Sequence, residues 1–228
     1  MDAAEPVLPV WLRERRAGVG RPAERSRAEV TAAAVALADG EGLAAVTMRR
    51  VAARLGTGAA SLYRYVTGRD DLLDLMADEA AAGYDLPAPD GPWVTGLLEV
   101  ARQGRAIMLR HPWLPELVLT RPTLGPHGVD LLEHVLTLLA GHPAAAARKM
   151  EAFAVLNTVT AAFALNELGA TAGTRQRQGA YLAHAVAAGG HPQVAAVLGG
   201  AFPATAAPAE RFEETLSRIL AGLLAPDD

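Results

Sequence analysis

A chain of 228 residues is long enough to bury a sizeable core, and its lack of cysteine excludes a disulfide framework and any cysteine-based metal site or nucleophile. Apolar residues make up 51% of the chain, which argues against wholesale disorder, and the abundance of Ala and Leu favours helix over strand. No basic segment followed by an apolar one opens the sequence, and no uncharged apolar run reaches the ~18 residues of a membrane-spanning helix. We therefore expect a cytoplasmic protein without a membrane partner.

The formal net charge of −4 is unevenly distributed along the chain. Residues 1–69 carry 11 Arg and 7 acidic residues, a balance of +4. Residues 70–228 carry 9 Arg, 1 Lys and 18 acidic residues, a balance of −8. A basic N-terminal third joined to an acidic remainder is typical of a nucleic-acid reader attached to a second unit.

The N-terminal third is predicted to contain an arm and a group of short helices. Residues 1–24 are rich in Pro, Gly and Arg and are predicted to form an irregular basic arm. A capping box of Ser26 and Glu29 predicts a helix that starts there and ends at the glycine-rich residues 39–42. Further helices are predicted from Thr47, over 59–65 and over 69–83, with a Gly-containing break at 56–58.

The rest of the chain is predicted to be helical as well. After a Pro-rich loop at 85–92, apolar residues recur at helical spacing, and His-Pro or Gly/Pro clusters separate most segments. No segment has the alternating pattern of a strand, so the predicted fold class is all-α. The predicted helices cover roughly 93–110, 113–120, 127–140, 143–169, 175–188 and 209–224.

The segment Thr47–Leu73, TMRRVAARLGTGAASLYRYVTGRDDLL, predicts a DNA-reading motif. Two short helices meet at a Gly-containing turn, an arrangement that lets the second lie in the major groove while the first crosses the backbone. Ala52 is small where the helices approach, and Leu55, Leu62 and Val66 can lock them together. The polar remainder forms the reading face, because Arg suits phosphates and guanine edges and hydroxyl groups suit phosphates.

This segment resembles the DNA-binding motif of the tetracycline-repressor family, strongly over about residues 25–80. The signature is a capped Thr, an Arg-bearing helix, Leu-Gly, Ser-Leu-Tyr-x-Tyr-Val, and a basic residue before Leu-Leu. The resemblance implies a three-helix helix-turn-helix DNA-binding domain over 25–70 and a helical ligand-binding and dimerisation domain over 71–228. It implies a homodimeric transcriptional regulator of double-stranded DNA, by family default a repressor released from a palindromic operator by a small molecule.

The resemblance also implies roles for individual residues of the motif. Phosphate clamps are expected at Thr47, Tyr63 and Arg69. The groove is expected to be faced by Arg49, Ala59, Ala60, Ser61, Arg64 and Tyr65.

The start of the second helix departs from the well-known family member. Gly58, Ala59 and Ala60 are nearly free of side chains and offer at most apolar contact, for instance to a thymine methyl. Specificity is then expected to depend on Arg49, Ser61 and Arg64 or on DNA shape. Arg50 and Arg54 are expected on the solvated or phosphate-facing side.

The arm leaves two alternatives open. Its arginines can enter the minor groove, or they can belong to a tail that only raises non-specific affinity. Trp11 and Leu12 are unusual in a flexible arm and suggest that it folds back onto the first helix or forms a short helix. The arginines concerned are Arg13, Arg15, Arg16 and Arg21.

Two C-terminal segments predict a dimer interface. Residues 152–166 carry no charge, so this helix needs protein around it, on one side its own domain and on the other a partner subunit. The last helix carries the apolar stripe of a second dimer helix, and two helices from each subunit make a four-helix interface. The stripe comprises Phe212, Leu216, Ile219, Leu220 and Leu223.

An effector site is predicted on the uncharged helix and its neighbours. Phe153, Asn157 and Thr160 share a face, and the two polar side chains need either a ligand or a backbone carbonyl as partner. For each flanking candidate, core packing is the competing interpretation. The flanking candidates are Ile107, Met108, Trp113 and His134.

Thr120-Arg121-Pro122-Thr123 resembles the turn that couples inducer binding to the DNA-binding head in the tetracycline repressor itself. The family's metal-anchoring His falls near Leu117 here, and Val100 and Gly104 replace pocket residues. These differences argue against magnesium–tetracycline and favour a small apolar or aromatic effector. No metal or other cofactor is expected.

Two other classes of protein fit the sequence less well. An enzyme is disfavoured, because a carboxylate metalloprotein in a helical bundle would need paired Glu-x-x-His motifs, and neither a Gly-rich phosphate loop nor a nucleophile elbow occurs. A ligand-independent regulator or an activator of the same fold remains the alternative.

Overall fold

The computed structural model describes residues 8–13, 25–88, 90–121, 124–169, 172–199 and 208–225. Within these ranges the regular elements are helices and no strand occurs, which confirms the predicted all-α fold. The eleven α-helices of the described residues are α1 Arg27–Glu41, α2 Met48–Arg54, α3 Ala59–Leu62, α4 Arg69–Ala81, α5 Trp93–Arg110, α6 Leu114–Thr120, α7 Pro126–Leu138, α8 Ala146–Gly169, α9 Ala172–Ala187, α10 Pro192–Gly199 and α11 Pro208–Leu223.

The first three helices pack around a small apolar core and form a head. The predicted capping box begins α1: the Ser26 hydroxyl accepts from the Glu29 amide at 3.1 Å, and the Glu29 carboxylate accepts from the Ser26 amide at 2.6 Å. Leu37 of α1, Val51 of α2 and Leu62 of α3 are all buried in the shared core. Because α2 and α3 are too short to be stable alone, this packing holds them as helices.

α4 joins the head to the body, which consists of α5 to α11. Leu72 and Met76 of α4 are buried in the same cluster as the head core, and that cluster continues through Ile107, Trp113 and Ala161 of the body. The boundary predicted between residues 70 and 71 therefore crosses a continuous hydrophobic core. A shift of α4 relative to the body must change the packing of the head.

α8 is the central helix of the body and packs against α5, α6, α7 and α11. Among the described helices it alone is long and apolar enough to cross a membrane, with a mean hydropathy of 1.2 over its best window. The buried core helix of a soluble protein can have the same length and hydropathy. Charged residues lie near both ends of α8, with Arg148 and Lys149 at one end and Glu167 at the other. We interpret α8 as a core helix.

The prediction that the main apolar stripe of the last helix forms a dimer face is wrong. Phe212, Leu216 and Leu220 of α11 are buried in the chain's own body, and the Phe212 ring lies 5.2 Å from that of Phe163. Only Ile219, which is 38% exposed, and the half-buried Leu223 remain of the stripe for a partner. The stripe covers the open side of α5 and α8, contacts that the pattern of a single helix does not reveal.

Several helices also differ from prediction. α3 ends at Leu62 rather than at residue 65, because the chain turns inward after it. α8 begins at Ala146 rather than at residue 143, since the Ala144 amide donates to the His142 ring and forms a turn first. α10 was not predicted; it follows the positive-φ residues Gly189 and Gly190 and contacts chiefly α9.

Part of the arm is folded against the body. Residues 8–13 form a 3-10 turn on α4, in which Val10 is buried and Trp11 packs against the same cluster. Arg13 donates two hydrogen bonds to the Asp71 carboxylate, at 2.6 and 2.8 Å, and one to the Thr67 hydroxyl at 2.9 Å. The short helix was one of the two alternatives, but it lies on α4 and not on α1. Of the remaining arm arginines, Arg15, Arg16 and Arg21 lie outside the described residues.

The ion pair of Arg13 and Asp71 contributes to stability in a pH-dependent way. Burial raises the pKa of the Asp71 carboxyl, but hydrogen bonds from Arg13 and Thr67 outweigh burial and hold the pKa below its ordinary value. A carboxyl whose pKa is lower in the folded state stabilises the fold at pH values above its unfolded pKa. That contribution is lost as the pH falls through the lower, folded value.

Replacing Arg13 by alanine is expected to lower the free energy of unfolding by about 1–3 kcal/mol at neutral pH, because Asp71 keeps fewer partners. Urea unfolding of both proteins at neutral pH and at a pH below ~3 should show a difference that shrinks in acid. Leu12→Ala, at an exposed neighbouring position, is the control and should change stability by less than about 0.5 kcal/mol. An Arg13→Ala effect of equal size at both pH values would contradict this account.

Candidate nucleic-acid interface and ligand cavity

α2 and α3 form a helix-turn-helix whose turn requires glycine. Gly56 adopts a φ of +67°, a left-handed conformation that side chains other than glycine rarely adopt. The Thr57 amide then donates to the Ala52 carbonyl at 3.0 Å, which closes the turn. The two helices meet through the buried Ala52 and Leu62, as predicted from the sequence.

α2 presents its N-terminal polar side chains on the surface. The Thr47 hydroxyl caps the helix by accepting from the Arg50 amide at 3.3 Å, and the exposed Thr47 stands at the surface. The Arg50 guanidinium pairs with Glu41 of α1. Arg49 is exposed and has no hydrogen bond or ion pair to any residue that the structure describes. Arg49 is therefore available for a ligand outside the chain.

Hydrogen bonds fix the N-terminus of α3, and side chains at and just after the helix are exposed to solvent. The Ser61 hydroxyl donates to the Gly58 carbonyl at 2.7 Å and lies 2.8 Å from the Thr57 hydroxyl, so it helps to fix the start of the helix. Tyr63 is 52% exposed, and Arg64 is exposed and unpaired within the described part of the chain. Ala60 is exposed too, whereas Ala59 packs partly against the head core.

One of the predicted groove contacts is placed elsewhere by the structure. Tyr65 does not face outward: it is only 8% exposed and lies in the head core, because the chain turns inward after α3. Arg69 is exposed, and its guanidinium donates to the carbonyls of Val46 at 2.9 Å and Leu43 at 3.1 Å, so it supports the turn before α2. The role of Arg69 as a phosphate clamp stays a prediction. The burial of Tyr65 does not follow from the linear motif, since it depends on how the chain after α3 packs.

A cavity of about 260 Å³ lies in the body beside α4. Small residues of α4 form one wall, and apolar residues of α5, α6, α7 and α8 form the others. Four of the predicted effector-site residues line it, namely Met108, Arg121, Phe153 and Asn157. The remaining lining residues are Ala77, Asp78, Ala80, Ala81, Tyr84, Leu114, Leu117, Val118, Leu124, Gly125, Gly128, Leu131, Ala154 and Thr158.

Five predicted effector-site residues do not line this cavity. Ile107 is buried in the core, and Thr160 is also buried and donates to the Leu156 carbonyl at 2.7 Å. Thr120 is exposed, and its hydroxyl donates to the Glu116 carbonyl of its own helix. His134 is half-buried on α7, and burial lowers the pKa of its ring. At these positions, core packing or a hydrogen bond to the backbone therefore fits better than contact with an effector.

Trp113 connects head and body instead of lining the cavity. Its indole nitrogen donates to the Asp39 carboxylate at the end of α1, at 2.6 Å. His111 Nδ1 lies 2.8 Å from the same oxygen. This contact ties the head to the turn between α5 and α6.

The lining residues that were not predicted come from α4, α6, α7 and α8 and from the turns beside them. On the α4 side they include Ala77, Ala81 and Tyr84, which recur at helical spacing. Burial raises the pKa of the Tyr84 hydroxyl, which keeps the group neutral. Within the described residues no cluster of three or more His, Asp or Glu side chains could hold a metal ion.

Two charged residues line the cavity, Asp78 and Arg121. Arg121 pairs with Asp70 at 3.0 Å and with Asp74 at 3.2 Å. Asp78 Oδ1 accepts from the Gly128 amide at 3.0 Å, and Oδ2 lies 3.1 Å from His127 Nδ1. A Cβ atom at Gly125 would lie 2.4 Å from the Asp78 carboxyl carbon, so only glycine allows this close approach of α4 and α7.

Comparisons with known proteins identify both halves of the chain. The sequence model for "Bacterial regulatory proteins, tetR family" matches residues 30–76, and that for "Tetracyclin repressor-like, C-terminal domain" matches residues 86–226. The HTH-type transcriptional repressor DrrR1 of Streptomyces coeruleorubidus is 45% identical over 140 residues, 60% of this chain and 52% of DrrR1. An HTH-type transcriptional regulator of Saccharopolyspora erythraea is 35% identical over 132 residues, 58% of this chain and 56% of that protein. The matches span about half the length of these curated relatives.

Solved structures match over more of the chain. Apo ActR from Streptomyces coelicolor has a TM-score of 0.76 and 30% identity, covering 88% of this chain and 95% of ActR. ActR in complex with actinorhodin has a TM-score of 0.75 and 30% identity, covering 89% of this chain and 97% of ActR. A further ActR structure contains (S)-DNPA, with a TM-score of 0.76, 30% identity and coverage of 88% and 97%.

Proposed function

Because the chain belongs to the tetracycline-repressor family of bacterial transcriptional regulators, we propose that it is a homodimeric repressor released from a palindromic operator by a small apolar or aromatic molecule. The position of α4 is the observation that carries this proposal. Its first residue follows α3 by only a short turn, and its last turn forms a wall of the cavity. One rigid helix thus connects the DNA-reading surface with a site for a ligand.

The exposed side chains of the head form the DNA-binding surface in this proposal. Arg49 and Arg64 are assigned to base edges, because both are exposed and neither has a partner among the described residues. Thr47 and Tyr63 are assigned to phosphates, which their hydroxyl groups can bind. Arg50 contributes from the rim of the surface, where Glu41 orients it.

The second copy of the chain is proposed to pack on the outer face of α8. This face is an exposed stripe of small and apolar residues, to which Ile219 of α11 adds. Close packing of helices from two subunits would bury the stripe and place the two heads at half-sites ~34–36 Å apart, or a multiple of that. The α8 residues are Met150, Ala154, Thr158, Ala162 and Leu165, of which Ala154 and Thr158 also line the cavity.

The effector is proposed to act by a shift of population. A molecule in the cavity contacts Ala77, Ala80 and Ala81 of α4 and favours the state in which α4 and the head are displaced. Such a shift requires a higher affinity of the effector for the displaced state. The alanines of α4 and the ring of Phe153 line the same cavity, which suits an apolar ring system, and the actinorhodin complex of ActR supports a small-molecule effector.

The DNA-binding half of the proposal is tested by selecting sites for the purified full chain from a pool of random duplexes. We expect an inverted repeat to be enriched, because a two-fold symmetric dimer presents two identical heads. Enrichment of a single asymmetric site, or of none, would contradict a homodimeric operator reader.

A further inference from the structure

We propose that Asp78 makes the cavity selective for an effector that carries a protonated amine next to its apolar ring system. The proposal rests on the function proposed above, in which the cavity is the effector site. It goes further by stating the charge of the effector and the residue that recognises it.

The first observation is the burial of the Asp78 carboxylate. Asp78 is 8% exposed and belongs to the cavity wall, among residues that are mostly apolar. Its two polar contacts are the Gly128 amide, at 3.0 Å, and the His127 ring, at 3.1 Å. A carboxylate oxygen can accept more than one hydrogen bond, so Asp78 retains the capacity to accept from a ligand.

The second observation is the charge balance around the cavity. Arg121 is the other charged residue of the lining, and the carboxylates of Asp70 and Asp74 both pair with it. The partner of Asp78 is His127, whose side chain is 45% exposed and which is charged only if protonated. Arg121 thus has carboxylate partners outside the lining, whereas the ionisable partner of Asp78 among the described residues is His127.

These observations favour a cationic ligand over a neutral or anionic one. An apolar molecule that fills the cavity removes water from Asp78, and the loss of hydration penalises the buried charge. An ammonium group offsets that penalty with a charge-assisted hydrogen bond, whereas a carboxylate adds repulsion. The rings of Tyr84 and Phe153 also line the cavity and offer π-faces to a cation.

Asp78 also gives the ligand a direct route to the head. Its carboxylate belongs to α4 and accepts from an amide in the first turn of α7. An ammonium group that draws this carboxylate into the cavity weakens the contact between α4 and α7. Recognition of the effector and displacement of α4 would then depend on the same side chain.

Three fluorescent anthracenes of matched shape test the proposal: 9-(aminomethyl)anthracene, 9-anthracenemethanol and anthracene-9-carboxylate. Their affinities for the full-length protein are measured by fluorescence anisotropy near neutral pH, without DNA. We expect the amine to bind at least about tenfold more tightly than the alcohol, and the carboxylate more weakly than the alcohol.

Asp78→Asn is the deciding variant, because the asparagine oxygen can still accept from the Gly128 amide while the charge is removed. We expect it to lose the preference for the amine and to keep the affinity for the alcohol. His127→Gln, which leaves the Asp78 charge in place, should retain the preference. Thermal unfolding of both variants establishes that the fold is intact.

The outcomes separate this inference from the proposed function. Equal affinities for all three compounds, or the same preference in Asp78→Asn as in the wild type, would overturn the role of Asp78 and leave the cavity as an effector site. If none of the three compounds binds, the role of Asp78 and the cavity as a site for planar apolar effectors are both overturned, while the reading of a palindromic operator is tested separately by the selection of sites.

Discussion

Replacing Arg64 by alanine is expected to weaken binding to the selected operator by roughly 2–6 kcal/mol, because the dimer loses one good base contact in each half-site. Arg64 is exposed just after α3, and its guanidinium has no partner among the described residues. The variant should also lose its preference for the operator over duplexes changed at the contacted base pair. Both effects are measured by anisotropy titrations of labelled duplexes. One duplex matches the selected site, and each of the others carries one changed base pair.

Arg218→Ala provides the matched control for charge. Arg218 is exposed on α11, far along the chain from the head, and pairs with Glu214. Its removal changes the net charge by the same amount and should leave operator affinity nearly unchanged. If Arg64→Ala binds the operator as tightly and as selectively as the wild type, Arg64 does not read the sequence.

Replacing Phe212 by alanine is expected to lower the free energy of unfolding by about 3–5 kcal/mol, the cost of an aromatic side chain removed from a core. Phe212 is 1% exposed, and its ring lies 5.2 Å from Phe163 of α8. An ion pair between Arg102 and Glu213, at 2.8 Å, holds α11 on α5 beside it. Urea unfolding at a fixed protein concentration measures the change.

Ile219→Ala is the paired variant at the exposed edge of the same helix stripe. Ile219 is partly exposed and belongs to the proposed dimer face. We expect its removal to change the dissociation of the dimer, measured by sedimentation at several concentrations, more than the packing of the body. A large loss of dimerisation in Phe212→Ala without loss of stability would restore the interpretation of that stripe as a partner surface.

The head was largely predictable because its fold depends on short-range signals. The capping box at Ser26 and the break at residues 56–58 fixed the order of the elements, and a small Ala52 indicated where two helices approach. The error at Tyr65 has a physical cause: an aromatic residue beside an apolar one suits a core as well as a groove. Which of the two holds depends on the direction of the chain after α3, and linear spacing does not encode it.

The cavity proposed as the effector site was only partly predictable, because its lining comes from five helices. Met108, Phe153 and Asn157 were found from their positions on α5 and α8. Asp78 was missed, because a lone acidic residue on a helix is usually solvated, and only the approach of α7 through Gly125 buries it. Such long-range contacts depend on tertiary packing, which no local pattern specifies.

The partner of Arg13 in the arm could not be predicted from the local sequence either. A run of arginines before a helix-turn-helix suggests a minor-groove contact, yet the Arg13 guanidinium is taken up by Asp71 and Thr67. Asp71 lies in the first turn of α4, 58 residues away along the chain. The ion pair therefore competes directly with any role of Arg13 in DNA binding.

The most direct test of the central claim is a salt titration of the purified protein on its selected duplex. A dimer that places two heads on phosphates releases counterions, so the logarithm of the affinity should fall steeply and linearly with the logarithm of the salt concentration. We expect this slope together with a palindromic site and a loss of site preference in Arg49→Ala. Binding that shows neither a preferred sequence nor a dependence on salt, also after refolding to remove any bound small molecule, would contradict the account.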